Sequence, residues 1–298
     1  MNNTLISSVL SVACLSLSAG RLAAQQIPPA VTSDSAPNKE FPAAMEAPDL
    51  PSHGARLNSI IYLAAGAGPH PTVLLMHGFP GNEQNMDLAY AIRRAGWNVF
   101  VAHYRGSWGS AGSFSFANAI EDTQSAIQFL RDPENAKKYR VDPKKIALIG
   151  HSMGGFMVAY AAAHDPKVVG VAMISAWNIG PSMAGPLDQA RTQLLHSASP
   201  RLAGTTPDGL AAEAKQNAPQ WNYLDYVANL KTRPVLIVES HDGNVPANKA
   251  LAEALRKAGD PNVTEIYMET DHVYSDHRIA LQSAIITWLD HLVGKADK

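Results

Sequence analysis

The sequence predicts an α/β protein in which a mainly parallel β-sheet carries helices on both faces. Apolar runs of strand length alternate along the chain with longer segments of helical periodicity. The runs are apolar on both faces, as strands buried between two helical layers are. Ligands of such sheets bind at the carboxyl ends of the strands, so functional residues are expected there.

The elements follow in order from these patterns. The predicted strands are residues 58–64, 72–77, 97–104, 145–150, 168–175, 233–240 and 263–269. Helices are predicted near residues 83–95, 116–131, 152–164, 247–258 and 276–293. Strands that are separated by helices in this way run mainly parallel.

The composition suits one large domain, with or without an insertion. The chain has 298 residues, 46% of them hydrophobic, which is enough to bury a sizeable core. Its 24 basic and 26 acidic residues give a net charge of -2, and no long basic run predicts a nucleic-acid partner. The one cysteine, Cys14, lies in the N-terminal apolar stretch, which excludes cysteine catalysis and zinc-thiolate sites in the rest of the chain. No cofactor or metal is expected, and the expected partner is a small neutral or mildly polar substrate.

The N-terminus resembles a secretory signal peptide. Residues 1–24 contain an apolar run followed by Ala23 and Ala24, and the run is too short and serine-rich for a membrane span. Residues 2–10 hold no Lys or Arg, which is unusual for such a signal. We expect cleavage after Ala24, a secreted or periplasmic protein, and no membrane span in the mature chain.

Two further segments complete the expected domain organisation. Residues 25–55 are rich in proline and are interpreted as a linker, so that the folded domain begins near Arg56 and extends over 56–298. About 57 residues between Ser175 and Arg233 show no strand pattern, which is too long for a bare loop. Their helical composition predicts a helical cap insertion at about 179–230 that shapes the substrate pocket.

The stretch from Gly150 to Gly154 predicts a nucleophile. Glycine at both positions removes side chains where a strand must turn abruptly into a helix, so that Ser152 is held at the apex of a strained turn. The G-x-S-x-G motif is short, and its weight comes from the strand predicted before it and the helix predicted after it. The alternative is a tight glycine turn with a serine that faces solvent.

With this turn in place, residues 56–298 resemble the α/β-hydrolase superfamily. The sequence HGFPG at 77–81 resembles its oxyanion loop, SHDGNVP at 240–246 its acid loop, and DHVYSD at 271–276 its histidine loop. The chain order of serine, acid and histidine is also that of the superfamily. Judged from HYRGSWGSAGSFS and VDPKKIALIGHSMGGF, the chain is most similar to esterases and prolyl-oligopeptidase-like hydrolases. The resemblance implies the α/β-hydrolase fold and a serine hydrolase.

The resemblance indicates His272 as the base that activates Ser152. A serine hydroxyl needs an adjacent base, and histidine is the side chain that titrates nearest neutrality. His272 follows the last predicted strand and precedes the terminal helix, where the superfamily places its base. His277 is the alternative, and His151 is interpreted as a residue that packs or shapes the turn.

Asp242 is the predicted acid. It lies just beyond the strand at 233–240, and a carboxylate there can hold the imidazole in the productive tautomer. Glu239, still within the strand, is the local alternative. Asp271, beside the histidine, is interpreted as a solvated or structural carboxylate.

The predicted oxyanion hole consists of the backbone N–H groups of Phe79 and Met153. Met153 follows the nucleophile, and Pro80 has no N–H to offer. The Phe79 ring is expected over the acyl pocket, with plain core packing as the alternative. Trp108, Trp177 and Trp221 are candidates for aromatic walls of the substrate pocket, although each could equally be core or cap packing.

The expected function is hydrolysis of short or medium acyl esters through a Ser-His-Asp triad and an acyl-enzyme. Cleavage of small peptides or amides is the main alternative, because the same triad cleaves amides. No propeller domain of the large oligopeptidases is recognised before residue 56, which favours esters. Two other classes stay open: a non-catalytic binding protein with the same fold, and a metallohydrolase that uses His272, Asp276 and His277.

Overall fold

The computed structural model describes residues 27–195 and 202–294. The predicted signal peptide, residues 1–24, lies outside these ranges. Within them, no helix is long and apolar enough to cross a membrane.

An eight-stranded sheet occupies the centre of the molecule, in the order β1-β4-β6-β5-β7-β8-β9-β10. The strands are β1 (Ala44–Glu46), β2 (Leu50–Ser52), β3 (Ala55–Leu57), β4 (Ser59–Leu63), β5 (His70–Met76), β6 (Asn98–Ala102), β7 (Val141–His151), β8 (Gly170–Ile174), β9 (Val235–Glu239) and β10 (Val263–Tyr267). Strand β4 is antiparallel to both its neighbours, and the other neighbouring pairs in this sheet are parallel. The predicted mainly parallel sheet is confirmed.

Helices connect the strands and cover both faces of the sheet. They are α1 (Pro29–Thr32), α2 (Met86–Arg94), α3 (Phe116–Arg131), α4 (Pro133–Lys138), α5 (Met153–His164), α6 (Ile179–Met183), α7 (Leu187–Leu195), α8 (Pro207–Asn217), a 3-10 helix (Tyr223–Tyr226), α9 (Val227–Leu230), α10 (Val245–Lys257) and α11 (Arg278–Val293). Apolar residues of α3, α5 and α10 form one core with the sheet, and those of α2 and α11 form the other. Alternate residues of β9 enter the two cores, which explains why the strands are apolar throughout.

The segment predicted as a linker carries structure of its own. β1 pairs with β4 at the edge of the sheet, and β2 pairs with β3 in a separate hairpin. Leu50 is fully buried, and the Ser52 hydroxyl donates to Asp122 on α3 at 2.6 Å. The boundary predicted at Arg56 therefore lies inside this hairpin. Pro51 is tolerated in β2 because a proline at a sheet edge leaves no inner hydrogen bond unmade.

The described part of the predicted insertion is helical, from α6 to α9 between β8 and β9. It is attached to the sheet layer by hydrogen bonds as well as by packing. Glu213 on α8 accepts the N–H groups of Phe116 and Ala117 at the start of α3, both at 3.0 Å. A carboxylate at this position satisfies free helix N–H groups and suits the helix dipole. The insertion is thereby fixed beside the carboxyl end of the sheet.

Candidate active site

Ser152 stands alone between the end of β7 and the start of α5. Its backbone has φ 55° and ψ −117°, a conformation that residues other than glycine rarely adopt. The Ser152 N–H donates to Ile174 at 2.8 Å, and its carbonyl accepts from Trp177 at 2.9 Å. These bonds to the end of β8 hold the strained turn in place.

The two glycines of the motif are required by close backbone contacts. A Cβ at Gly150 would lie 2.1 Å from the Gly154 carbonyl oxygen, and a Cβ at Gly154 would lie 2.3 Å from the Met76 carbonyl oxygen. A real Cβ atom essentially never makes a non-bonded contact this short. Glycine therefore lets β7 turn into α5 against the end of β5, and this approach explains the strand-turn-helix pattern of the sequence.

Asp242 and His272 meet although they follow different strands. His272 Nδ1 lies 2.7 Å from Asp242 Oδ2. Asp242 also accepts the Asn244 N–H at 2.7 Å and the Ser240 hydroxyl at 2.8 Å. Burial opposes ionisation of Asp242, but the hydrogen bonds from His272, Asn244 and Ser240 lower the pKa of this carboxyl. An ionised Asp242 accepts a hydrogen bond from the Nδ1–H of His272 and so leaves the His272 Nε2 free to accept a proton.

His151 connects the serine turn to the histidine loop. Its Nε2 lies 2.8 Å from the His272 carbonyl oxygen, and the two rings are 4.7 Å apart between centroids. Because a carbonyl only accepts, the Nε2 of His151 carries the proton. Burial, and then the charge of His272, lower the pKa of His151 to about 3, so this ring is neutral near pH 7.

The predicted oxyanion loop, residues 77–81, lies against the serine turn. A Cβ at Gly78 would come within 2.9 Å of the Ser152 Cβ, so this loop must also be glycine where it touches the turn. Phe79 is the next residue, and its ring packs 5.7 Å from that of Phe116. Met153, the other predicted donor, is the buried first residue of α5. Both predicted N–H donors thus belong to segments that adjoin Ser152.

The three candidate tryptophans lie in different places. The Trp177 N–H donates to the Ser152 carbonyl, which puts Trp177 directly beside the turn. The Trp108 indole donates to the Pro80 carbonyl at 2.9 Å and so supports the oxyanion loop. Trp221 is buried in the core that α3 and α5 form with the sheet. Trp177 and Trp108 therefore adjoin the candidate site, and Trp177 also packs in the core that contains Trp221.

The alternative acids and base have other surroundings. His277 pairs with its neighbour Asp276, and Asp271 accepts hydrogen bonds from Ser275 within its own turn. Glu239 is fully buried, and neither of its carboxyl oxygens has a partner among the described residues. Burial, and then the charge of Glu265, raise the pKa of Glu239 to about 7.

The described residues do not form the metal site of the alternative interpretation. Among residues 27–195 and 202–294, no group of three or more His, Cys, Asp or Glu side chains is placed so that it could hold a metal ion. His272, Asp276 and His277 therefore do not form such a group.

Arg278 is a residue at this site that sequence reasoning missed. It begins α11, and its guanidinium donates to the Val273 carbonyl at 2.9 Å and to Asn85 Oδ1 at 3.0 Å. It also pairs with Asp87 at the start of α2, with Nε to Oδ2 at 2.9 Å. A cation in the first turn of a helix is unfavourable. That unfavourable position is the signal that could have indicated a specific partner.

Comparison with protein families gives a match over most of the chain. The model of the prolyl oligopeptidase family matches residues 84–296, which include Ser152, Asp242 and His272. An uncharacterized Salmonella typhimurium protein, YfhR, is 33% identical over 94 residues, which are 31% of this chain and 30% of that protein. The esterase EstD of Thermotoga maritima is 27% identical over 151 residues, 47% of this chain and 34% of the esterase. These matches thus span about a third of the length of each relative.

A solved structure has the same fold. The esterase of Pyrobaculum calidifontis superposes with a TM-score of 0.63 at 20% sequence identity, over 85% of this chain and 88% of that one. The predicted α/β-hydrolase fold is confirmed. On the extent of the family match, the chain belongs to the prolyl oligopeptidase family.

Proposed function

We propose that the protein is a serine hydrolase that cleaves carboxylic esters of short or medium acyl groups. The observation that carries the proposal is the 2.7 Å hydrogen bond between His272 and Asp242. The loop of His272 also contacts the strained serine turn, because the His272 carbonyl accepts from His151. A base held by a largely shielded carboxylate, on a loop that contacts the turn of a partly buried, strained serine, suits acyl transfer.

The reaction has two halves. Ser152 Oγ attacks the ester carbonyl carbon while His272 Nε2 takes the hydroxyl proton, and Asp242 stabilises the imidazolium without being protonated itself. The N–H groups of Phe79 and Met153 stabilise the tetrahedral oxyanion. Collapse expels the alcohol, which receives the proton from His272, and leaves an acyl group on Ser152. A water molecule then attacks the acyl carbon while His272 takes its proton. The bond to Ser152 Oγ breaks, the acid leaves, and His272 returns the proton to the serine.

The ester preference is supported by two of the comparisons. EstD and the Pyrobaculum calidifontis protein are both named esterases. The Phe79 ring packs against Phe114 and Phe116 of the core and is only partly buried. A bulky ring next to the Gly78 contact with the serine turn would limit the length of the acyl chain. The substrate is therefore a small-molecule ester.

A second candidate is a peptidase of small peptides or amides. The family to which the chain belongs is described as the prolyl oligopeptidase family, and this description favours amide substrates. The same attack by Ser152 would cleave an amide, with an amine in place of the alcohol as the group that His272 protonates.

Steady-state kinetics of the purified protein and Ser152→Ala test the proposal. The substrates are p-nitrophenyl esters from acetate to palmitate beside a panel of aminoacyl p-nitroanilides. We expect hydrolysis of short and medium esters that falls by at least about 10³-fold in Ser152→Ala. Ser283→Ala, which removes a buried hydroxyl on α11, is the matched control and should keep full activity.

Three outcomes would contradict the proposal. Ester hydrolysis that survives in Ser152→Ala would remove Ser152 from the mechanism. Turnover of anilides alone would favour the peptidase candidate. Inactivity of the folded protein on both panels would favour a non-catalytic member of the fold.

A further inference from the structure

Two successive carbonyls of the His272 loop are each bound by a side chain. The His272 carbonyl accepts from His151 Nε2 at 2.8 Å, and the Val273 carbonyl accepts from Arg278 at 2.9 Å. These bonds act on the backbone, whereas Asp242 acts on the imidazole ring. The base is therefore held by one hydrogen bond to its ring and by two to the main chain of His272 and Val273.

His151 supplies a donor of fixed orientation. The residue is 3% exposed, and its Nδ1 has no hydrogen-bond partner among the described residues. The neutral ring carries one N–H group, on Nε2, and this group donates to the His272 carbonyl oxygen. Since His151 stays neutral, it places no positive charge beside a base that must become cationic during the reaction.

Arg278 extends the contact to the other side of the site. Its guanidinium pairs with Asp87 on α2 as well as with the Val273 carbonyl. Asp87 also accepts from Gln282 at 2.7 Å, so the carboxylate is held by two residues of α11. Helix α2 begins at Met86, five residues after the oxyanion loop ends at Gly81. Arg278 thus connects the histidine loop to the segment that follows the oxyanion loop.

Tyr274 anchors the same loop to the sheet, with its hydroxyl 2.9 Å from the Ser175 hydroxyl and 3.1 Å from the Val238 carbonyl. That contact lies two residues beyond the base. The contacts of His151 and Arg278 lie at the base itself and at the next residue, where a shift of the backbone moves the imidazole directly. A displacement of about 1 Å from the productive geometry can cost about 100-fold in rate.

We propose that His151 and Arg278 are positioning residues that clamp the His272 loop at two successive carbonyls and thereby set the position of the His272 imidazole relative to Ser152. This inference rests on the proposed function, because it assigns the clamp to the base of that reaction. The clamp connects the histidine loop to the serine turn and, through Asp87, to α2, two elements that are distant from this loop in sequence.

The test compares His151→Phe and Arg278→Met with the wild-type full chain. Both substitutions remove the donor and keep much of the side-chain volume. With p-nitrophenyl acetate, we expect kcat and the pre-steady-state acylation rate to fall about 10- to 100-fold in each variant while KM changes less than about two-fold. His151→Gln and Arg278→Lys keep a donor and should regain part of the loss.

The structure offers matched controls for both residues. His70 Nε2 lies 3.1 Å from the Gly66 carbonyl oxygen, a bond of the same kind at the start of β5. Arg131 forms an ion pair with Asp165, and its side chain is 21% exposed, as is that of Arg278. His70→Phe and Arg131→Met should keep the wild-type kcat. Thermal unfolding shows whether each variant is folded. If His151→Phe or Arg278→Met does not fold, kcat and the acylation rate of His151→Gln or Arg278→Lys are compared with the wild type instead.

The outcomes separate the clamp from the proposed function. Wild-type kcat in His151→Phe or in Arg278→Met would overturn the two-point clamp, and so would an equal loss of kcat in the controls. An inactive Ser152→Ala beside fully active clamp variants would overturn the clamp alone. Activity in Ser152→Ala would overturn the proposed function and the clamp with it.

Discussion

Two histidines five residues apart are each paired with a carboxylate, yet only one pair belongs to the candidate site. The Nδ1 to carboxylate distance is 2.7 Å for His272 and 2.8 Å for His277. The side chains are 38% and 36% exposed. Neither the distance nor the exposure of the ring distinguishes the two pairs.

The difference lies in the carboxylates. Asp242 is 11% exposed and accepts from two further donors, whereas Asp276 is 72% exposed, accepts from one further donor, Thr270, and is adjacent to its histidine in the chain. An exposed ion pair contributes little free energy and fixes little geometry. A shielded carboxylate with several donors holds the imidazole in one orientation. The surroundings of the acid, more than the length of the bond, distinguish the pair in the candidate site from the exposed pair.

Loss of the base should have the largest effect. We expect His272→Ala to reduce kcat/KM for p-nitrophenyl acetate by at least about 10³-fold, because general-base assistance contributes about 10²- to 10⁴-fold and Ser152 depends on it. His277→Ala is the matched control and should stay within about two-fold of the wild type. The reverse ranking of the two variants in steady-state kinetics would assign the base to His277.

Loss of the acid should have the next largest effect. Asp242→Asn keeps the shape of the side chain but lets an amide N–H face the imidazole, so that the wrong tautomer is favoured. We expect kcat to fall about 10²- to 10⁴-fold, and Asp276→Asn to change it by less than about two-fold. Equal effects of the two substitutions on kcat would show that shielding of the carboxylate does not matter.

A third carboxylate, Glu239, is buried without an imidazole partner, and its effect is expected on stability. Its pKa is raised in the folded protein from 4.5 to about 7, so the folded state favours the neutral acid. The free energy of unfolding should therefore fall as the pH rises from about 4.5 to about 7. Glu239→Gln should remove that part of the slope and raise stability at pH 8 by about 1–3 kcal/mol.

Chemical denaturation at pH 5 and pH 8 measures this effect. Glu134→Gln, at an exposed position on α4, is the control and should leave the difference between the two pH values unchanged. A Glu239→Gln variant whose stability follows the wild type at both pH values would show that Glu239 ionises normally in its buried position.

The smallest effect is expected at a third histidine pair. His241 lies next to Asp242 and pairs with Glu269 at 2.8 Å, but the two side chains are 75% and 73% exposed. We expect His241→Ala to keep kcat within about two-fold and to change the free energy of unfolding by less than about 1 kcal/mol. A large loss of kcat in ester kinetics would mean that proximity to Asp242 suffices for a role in the reaction.

The sheet could be predicted from the sequence because burial on both faces leaves a continuous apolar run. Most predicted strands contain an observed strand, as residues 233–240 contain β9. The predicted strands at 72–77 and 145–150 overlap β5 and β7. β1 and β2 could not be predicted, because a three-residue edge strand shows no periodicity and Pro51 argues against a strand. Helix α4, with six residues, is likewise too short for a helical pattern.

Those parts of the candidate site that depend on residues close together in the chain could be predicted from the sequence. The steric need for Gly150 and Gly154 can be read from the motif, because the turn itself brings the backbone atoms together. The contact of Arg278 with Asp87 joins residues 191 positions apart, and no local pattern of either segment shows the other. The contact of His151 with the His272 carbonyl is of the same kind. The catalytic roles of Ser152, Asp242 and His272 stay predictions.

Covalent labelling can show whether Ser152 is a nucleophile that His272 activates. The protein is treated with a fluorophosphonate, and the modified residue is located by mass spectrometry of peptides. We expect one adduct, at Ser152, which is absent in Ser152→Ala. It should form at least about 10²-fold more slowly in His272→Ala and at the wild-type rate in His277→Ala. An adduct at another residue, or an unchanged labelling rate in His272→Ala, would contradict this mechanism.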